Sequence, residues 1–179
     1  MAAEVGRFLA GLHAVAPPDP DLPVDPFRRA DAADRAARTR DVLDQLVASD
    51  LPVPSGPADD LLRAGAAAGP PPRENVLSHG DLYARHVLVD QGGQACAVID
   101  WGDLCTAPRS VDLAIAWSAF AGEERAAFLA EYEPVDADTE LRARVMALFS
   151  AAAVAAYAHD LGDVALLADS LAGLDRAVG

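Results

Sequence analysis

Residues 77–90, LSHGDLYARHVLVD, set two histidines, an aspartate, an arginine and a closing aspartate into an apolar frame. Val76-Leu77 opens that frame and Val87-Leu88-Val89 closes it. Short β-type runs on either side of so dense a polar group place His79, Asp81 and His86 at the ends of strands rather than in a plain surface loop. A second cluster, Ile99-Asp100-Trp101-Gly102-Asp103, lies at the end of another β-type run, QACAVIDW. Val87–Asp90 and Ala95–Ile99, with QGG in the turn between them, read as a hairpin.

Two strand-end carboxylates flanking a hairpin can converge on one point. One can accept a proton from an attacking hydroxyl, and the other can hold a divalent cation through oxygen. Phosphoryl transfer needs that division of labour, because its catalysis is mostly positioning and charge neutralisation. The same four residues, His79, Asp81, His86 and Asp100, also admit a second reading as ligands of a metal-dependent hydrolase.

The rest of the chain reads as helix. AAEVGRFLAGLHAV places Val5, Phe8, Leu9 and Leu12 at helical spacing. Prolines in residues 15–26 end that helix and make an extended linker. Helical patterning resumes from about Phe27 to Ala48, with a charged face over 28–44 that reads as solvated. A short helix covers ADDLLRAGAAA. Beyond the hairpin the pattern is helical to the end, in SVDLAIAWSAF, GEERAAFLAEY, DTELRARVMALFSAAAVAAYAHD and DVALLADSLAGLDRAV. The layout is α+β and mainly helical, one unit over residues 1–179 with a small β-element carrying the polar residues.

Composition narrows the partners. Apolar residues make up 52% of the 179, which suits a folded core rather than disorder. The longest apolar run, residues 145–158, is shorter than the roughly 18 residues that span a bilayer and reads as a buried helix. The opening residues lack the basic region of a secretory signal, and Cys96 and Cys105 form no disulfide framework. A cytoplasmic location is the expectation. The net charge of −14 repels nucleic acid and anionic membranes, and is compatible with a cationic substrate. All 14 basic side chains are arginine, so no mechanism needing a lysine can run on these residues alone.

HGDLYARHVLVD, AVIDWGDL and SVDLAIAW together resemble the aminoglycoside phosphotransferase and choline kinase family, relatives of the protein kinases. The likeness covers nearly the whole chain and implies a protein-kinase-like C-terminal lobe, with the hairpin beside the catalytic loop. By resemblance Asp81 is the catalytic base, and His79 braces its loop. Asp100 is the metal ligand, joined at the second metal position by His86. Asp112 is a structural support. The implied co-substrate is ATP or GTP with Mg²⁺ or Mn²⁺, and the implied acceptor is a small hydroxylated molecule.

Three departures accompany the likeness. His86 stands where the family has asparagine. Ala107-Pro108-Arg109 replaces a Gly-Asp-Pro, so one carboxylate is lost, which Asp103 could partly replace. The nucleotide-binding N-terminal lobe, with its lysine, has no counterpart in these residues. That absence implies a truncated enzyme with little turnover, or a non-catalytic lobe with a binding or regulatory role. It also implies self-association through the face an N-terminal lobe would cover.

Overall fold

The computed structural model describes all of residues 1–179. The chain forms seven helices and two small antiparallel sheets. The helices are α1 (Ala2–Ala14), α2 (Ala32–Ala48), α3 (Ser55–Ala67), α4 (Ser110–Ser118), α5 (Gly122–Glu131), α6 (Ala137–Leu161) and α7 (Val164–Val178). The strands are β1 (Val76–Ser78), β2 (Val87–Val89), β3 (Ala95–Val98) and β4 (Cys105–Ala107). Aspartates cap three of the helices. Asp31, Asp136 and Asp163 accept the backbone N–H three residues on, of Asp34, Thr139 and Leu166, each satisfying a donor that the first helical turn leaves free.

The bundle is organised on α6, which packs against α2, α3, α4 and α7. Its fully buried residues Ala143, Val145, Ala147, Leu148, Ala152 and Ala155 are mostly small. They let neighbouring helices approach closely and leave the larger Leu113, Ile115, Phe120 and Leu174 to fill the gaps. The 25 residues of α6 are long and apolar enough, by length and composition, to cross a membrane. The expectation from the apolar run alone was therefore too short, although more than half of that stretch is buried inside the bundle. On the other side α1 packs on α5, so closely that a Cβ at Gly6 would fall 2.3 Å from the Phe128 carbonyl oxygen.

The β2–β3 hairpin forms with Val87 opposite Val98 and an irregularity between Leu88 and Val89. The chain after it is not wholly helical, as the pattern had suggested. β4 pairs with β1, Leu77 opposite Thr106. A three-residue strand held between a tight turn and Pro108 is too short to show alternation. The proline-rich segment is pinned rather than free, since Thr106 N–H donates to Pro23 O at 2.8 Å and Asp25 N–H donates to Thr106 O at 2.9 Å.

The second helix begins at Ala32, not Phe27, because Arg28 turns the chain through a positive φ of 52° and Asp31 then caps the helix. Nor is the charged face over 28–44 fully solvated. Arg29 and Arg35 are buried. Arg142, on α6, is another buried cation. It bonds Asp138 and the carbonyls of Ala30, Gly69 and Pro70, tying α6 to two loops.

Candidate active site

The loop after β1 turns sharply at Gly80. Its φ is +86°, and a Cβ there would stand 2.3 Å from the Asp103 carbonyl oxygen. Only glycine fits, both for the left-handed backbone and for the close approach of the two acidic loops. The loop is anchored from beneath by Asp112 in the first turn of α4. Its carboxylate accepts the backbone N–H groups of His79 at 2.8 Å and Gly80 at 3.0 Å. Asp112 is wholly buried. Burial alone would raise its pKa, but the His13 hydrogen bond and charge, with the two backbone donors, hold it below the ordinary carboxylate value of 3.8.

His13 completes this brace from α1. Its Nε2 lies 3.2 Å from Asp112 Oδ2 and its Nδ1 lies 2.5 Å from the Tyr132 hydroxyl. Burial pushes the Tyr132 phenol up to about 12. The sequence assigns neither residue to the site. They lie 99 and 20 residues from Asp112, and no local pattern links them.

His79 has no free nitrogen. Its Nε2 donates to Ile99 O at 3.0 Å, and its Nδ1 accepts the Asp81 backbone N–H at 3.3 Å. The ring is fully buried, with the Trp101 ring centroid 4.7 Å away. The imidazole thus ties the first acidic loop to the end of the hairpin, and it has no lone pair left for a metal.

Asp81 keeps its carboxylate exposed and free of hydrogen bonds within the chain, while both its backbone groups are held. The N–H goes to His79, and the carbonyl accepts from His86 Nδ1 at 2.8 Å. His86, in the 3-10 turn Ala84–His86, is buried, and its Nε2 lies 3.3 Å from Asp100 Oδ2. One imidazole therefore touches the backbone of one acidic loop and the side chain of the other. Asp100 sits in the left-handed region at φ 65°, and its carboxylate is largely exposed. The sharp turn aims it outward.

Asp103 is committed elsewhere, in an ion pair with Arg29, which also holds Asp25 at 3.0 Å. Arg109 of the altered Ala-Pro-Arg segment reaches Glu133 at 3.3 Å. His79, Asp81, His86 and Asp100 do not gather as a metal-ligand cluster, so the hydrolase reading has no geometry behind it. A pair does fit a divalent cation. Asp100 offers a hard oxygen, and a neutral His86 held through Nδ1–H turns its Nε2 lone pair toward the same place. Oxygen suits Mg²⁺, and the nitrogen favours Mn²⁺.

A family model described as a phosphotransferase enzyme family matches residues 1–148. The uncharacterized protein YcbJ of Bacillus subtilis (strain 168) is 36% identical over 61 residues, 34% of this chain and 20% of that protein. Macrolide 2'-phosphotransferase type I superposes with a TM-score of 0.57 at 25% identity, over 97% of this chain and 58% of its own. The AMP-bound complex of spectinomycin phosphotransferase APH(9)-Ia shares the fold at a TM-score of 0.62 and 16% identity, over 98% of this chain and 65% of its own. The chain thus spans less than two thirds of the length of each of these proteins. With the family model matching most of the chain and a kinase-like phosphotransferase fold carrying the motif, the chain belongs to the phosphotransferase enzyme family, that of the aminoglycoside phosphotransferases.

Proposed function

We propose that these residues form the catalytic and metal-binding half of a small-molecule kinase, a C-terminal lobe that moves the γ-phosphate of ATP or GTP to a hydroxyl. The observation that carries this is the pair of exposed carboxylates, Asp81 and Asp100, on two loops joined through His86. Asp81 orients the acceptor hydroxyl and takes its proton. The hydroxyl oxygen then bonds to the γ-phosphorus as the bond to the bridging oxygen breaks, releasing nucleoside diphosphate. A bound Mg²⁺ or Mn²⁺ would neutralise charge on the phosphates. Asp100, with His86, would hold it. His79 is a positioning residue. So is Asp112, which fixes the loop from below, and Asp103 steadies the wall beside Asp81 through Arg29.

One observation favours the alternative of a binding or regulatory lobe. The 179 residues contain no lysine to meet the α- and β-phosphates. The hairpin region also leaves Leu88, Val89, Ile99 and Trp101 exposed, which supports self-association of this chain. Turnover by these residues alone is therefore expected to be slow. Single-turnover ³¹P NMR, with protein in excess over ATP and a pool of hydroxylated acceptors, distinguishes the two readings. The kinase reading expects an acceptor-dependent phosphate ester that Asp81→Asn abolishes. An ester formed equally by Asp81→Asn would remove Asp81 from the mechanism, and no ester at all would favour the binding lobe.

A further inference from the structure

Beside Asp81 lies an open cavity of about 540 Å³, a size that suits a small ligand. Its wall has two characters. Phe27, Met146, Phe149, Ala153 and Val154 are its apolar and aromatic part. Among them stand four arginines, 28, 29, 35 and 38, and two aspartates, 81 and 103. In a chain of net charge −14, this concentration of arginine sets the wall apart.

Three of the four guanidiniums have a close carboxylate. Arg28 pairs with Asp31, Arg29 with Asp25 and Asp103, and Arg38 Nε lies 2.9 Å from Asp34 Oδ2. Arg35 differs. Its side chain is only 7% exposed, and its nearest carboxylate oxygen, on Asp34, is 3.9 Å away. It donates to the Phe27 carbonyl, its guanidinium lies 4.7 Å from the Phe149 ring centroid, and its Nε has no partner. Burial first, and then the neighbouring Arg38, lower its pKa. A buried guanidinium with an unused donor is costly unless an anion completes it.

We propose that this cavity is the acceptor site and that it takes a hydroxylated small molecule bearing a carboxylate, with Arg35 as the residue that recognises it. The inference rests on the kinase reading for the role of Asp81, and it replaces the cationic acceptor that net charge alone suggested. A single guanidinium without a close carboxylate matches a monoanion, and Asp81 and Asp103 in the same wall disfavour a dianionic phosphate. The fork of an arginine suits the planar carboxylate. Phe27 and Phe149 offer flat apolar surface to the rest of the molecule. The anion is the acceptor's own rather than the nucleotide's, because neither Asp100 nor His86 lines this cavity.

Calorimetry without nucleotide tests this with matched probes. Mandelate and tropate carry a phenyl ring, a hydroxyl and a carboxylate; mandelamide and tropamide are their neutral counterparts, and phenylethanolamine is a cationic one. The carboxylates should bind about tenfold or more tightly than the amides or the amine. Arg35→Met should remove that preference, with circular dichroism confirming the fold. Arg38→Met, at the exposed rim, should weaken carboxylate binding a few-fold and serves if Arg35→Met does not fold. Asp81→Asn should keep the preference, and ATP with Mn²⁺ should not displace mandelate. Equal binding of acid and amide, tighter binding of the amine, no carboxylate binding at millimolar concentration, or displacement by ATP would each overturn the proposal. So would a preference that survives both arginine substitutions. Because no nucleotide takes part in the probe titrations, failure there leaves the kinase reading standing, and failure of phosphate transfer leaves the pocket chemistry standing.

Discussion

The Asp112 carboxylate and the His13 imidazole meet at 3.2 Å in the interior, on helices far apart in the chain. This contact joins α1 to α4 directly beneath the loop that presents Asp81. Asp112 there also receives the backbone N–H groups of His79 and Gly80, so one carboxylate serves both the packing of the bundle and the shape of the candidate site.

Removing Asp112 leaves two buried N–H groups and a histidine without their acceptor. Asp112→Ala should cost on the order of 3 kcal/mol in urea unfolding. In a double-mutant cycle with His13→Ala the two losses should be less than additive. The pH dependence has a definite sign. A carboxyl held below its unfolded value stabilises the fold above that value, and the contribution is lost as pH falls through the folded pKa. Wild type should therefore lose stability on acidification below about pH 4 more steeply than Asp112→Ala. Parallel acid limbs would show that Asp112 is not the group responsible.

Gly80→Ala tests the turn itself. The new methyl group meets the Asp103 carbonyl, in a backbone region that costs an L residue about 1–2 kcal/mol before any clash. The expected result is a thermal midpoint several degrees lower and weaker Mn²⁺ binding, as the two acidic loops are pushed apart. An unchanged midpoint together with unchanged Mn²⁺ affinity would show that the loops tolerate separation.

The two free thiols should behave differently. Cys96 is exposed on the hairpin, whereas Cys105 is fully buried in β4, where burial first and then nearby carboxylates push its thiol up to about 11. An aromatic disulfide reagent should titrate one thiol per native chain and two after denaturation. Rapid modification of both in the native chain would mean that β4 opens readily.

Much of this was legible in the sequence, for identifiable reasons. The hairpin, α4 and the helices after it carry strong local patterns, and the residues of HGDLYARH and IDWGD lie close enough along the chain to be seen as groups. What escaped depends on distance. β4 is three residues long and gains its identity from β1, some thirty residues earlier. His13 and Tyr132 acquire a role only when α1 and the end of α5 are brought to Asp112. Arg29 and Arg35 looked like solvent-facing charge, because helical spacing cannot show that a loop and α6 cover them. The arginines of the cavity beside Asp81 were hidden for a related reason. A net charge sums the whole surface, and the arginines that matter are gathered in one wall.

Asp100 is the residue on which a working metal and phosphate site depends. Calorimetric titration of the chain with ATP, first with Mg²⁺ and then with Mn²⁺, tests this directly beside Asp100→Asn and Asp81→Asn. Asparagine tolerates the left-handed backbone at residue 100, so the first variant removes charge with little strain. The expected result is metal-dependent binding in wild type that persists in Asp81→Asn and disappears in Asp100→Asn. No binding, binding that needs no metal, or binding that Asp100→Asn leaves intact would contradict it.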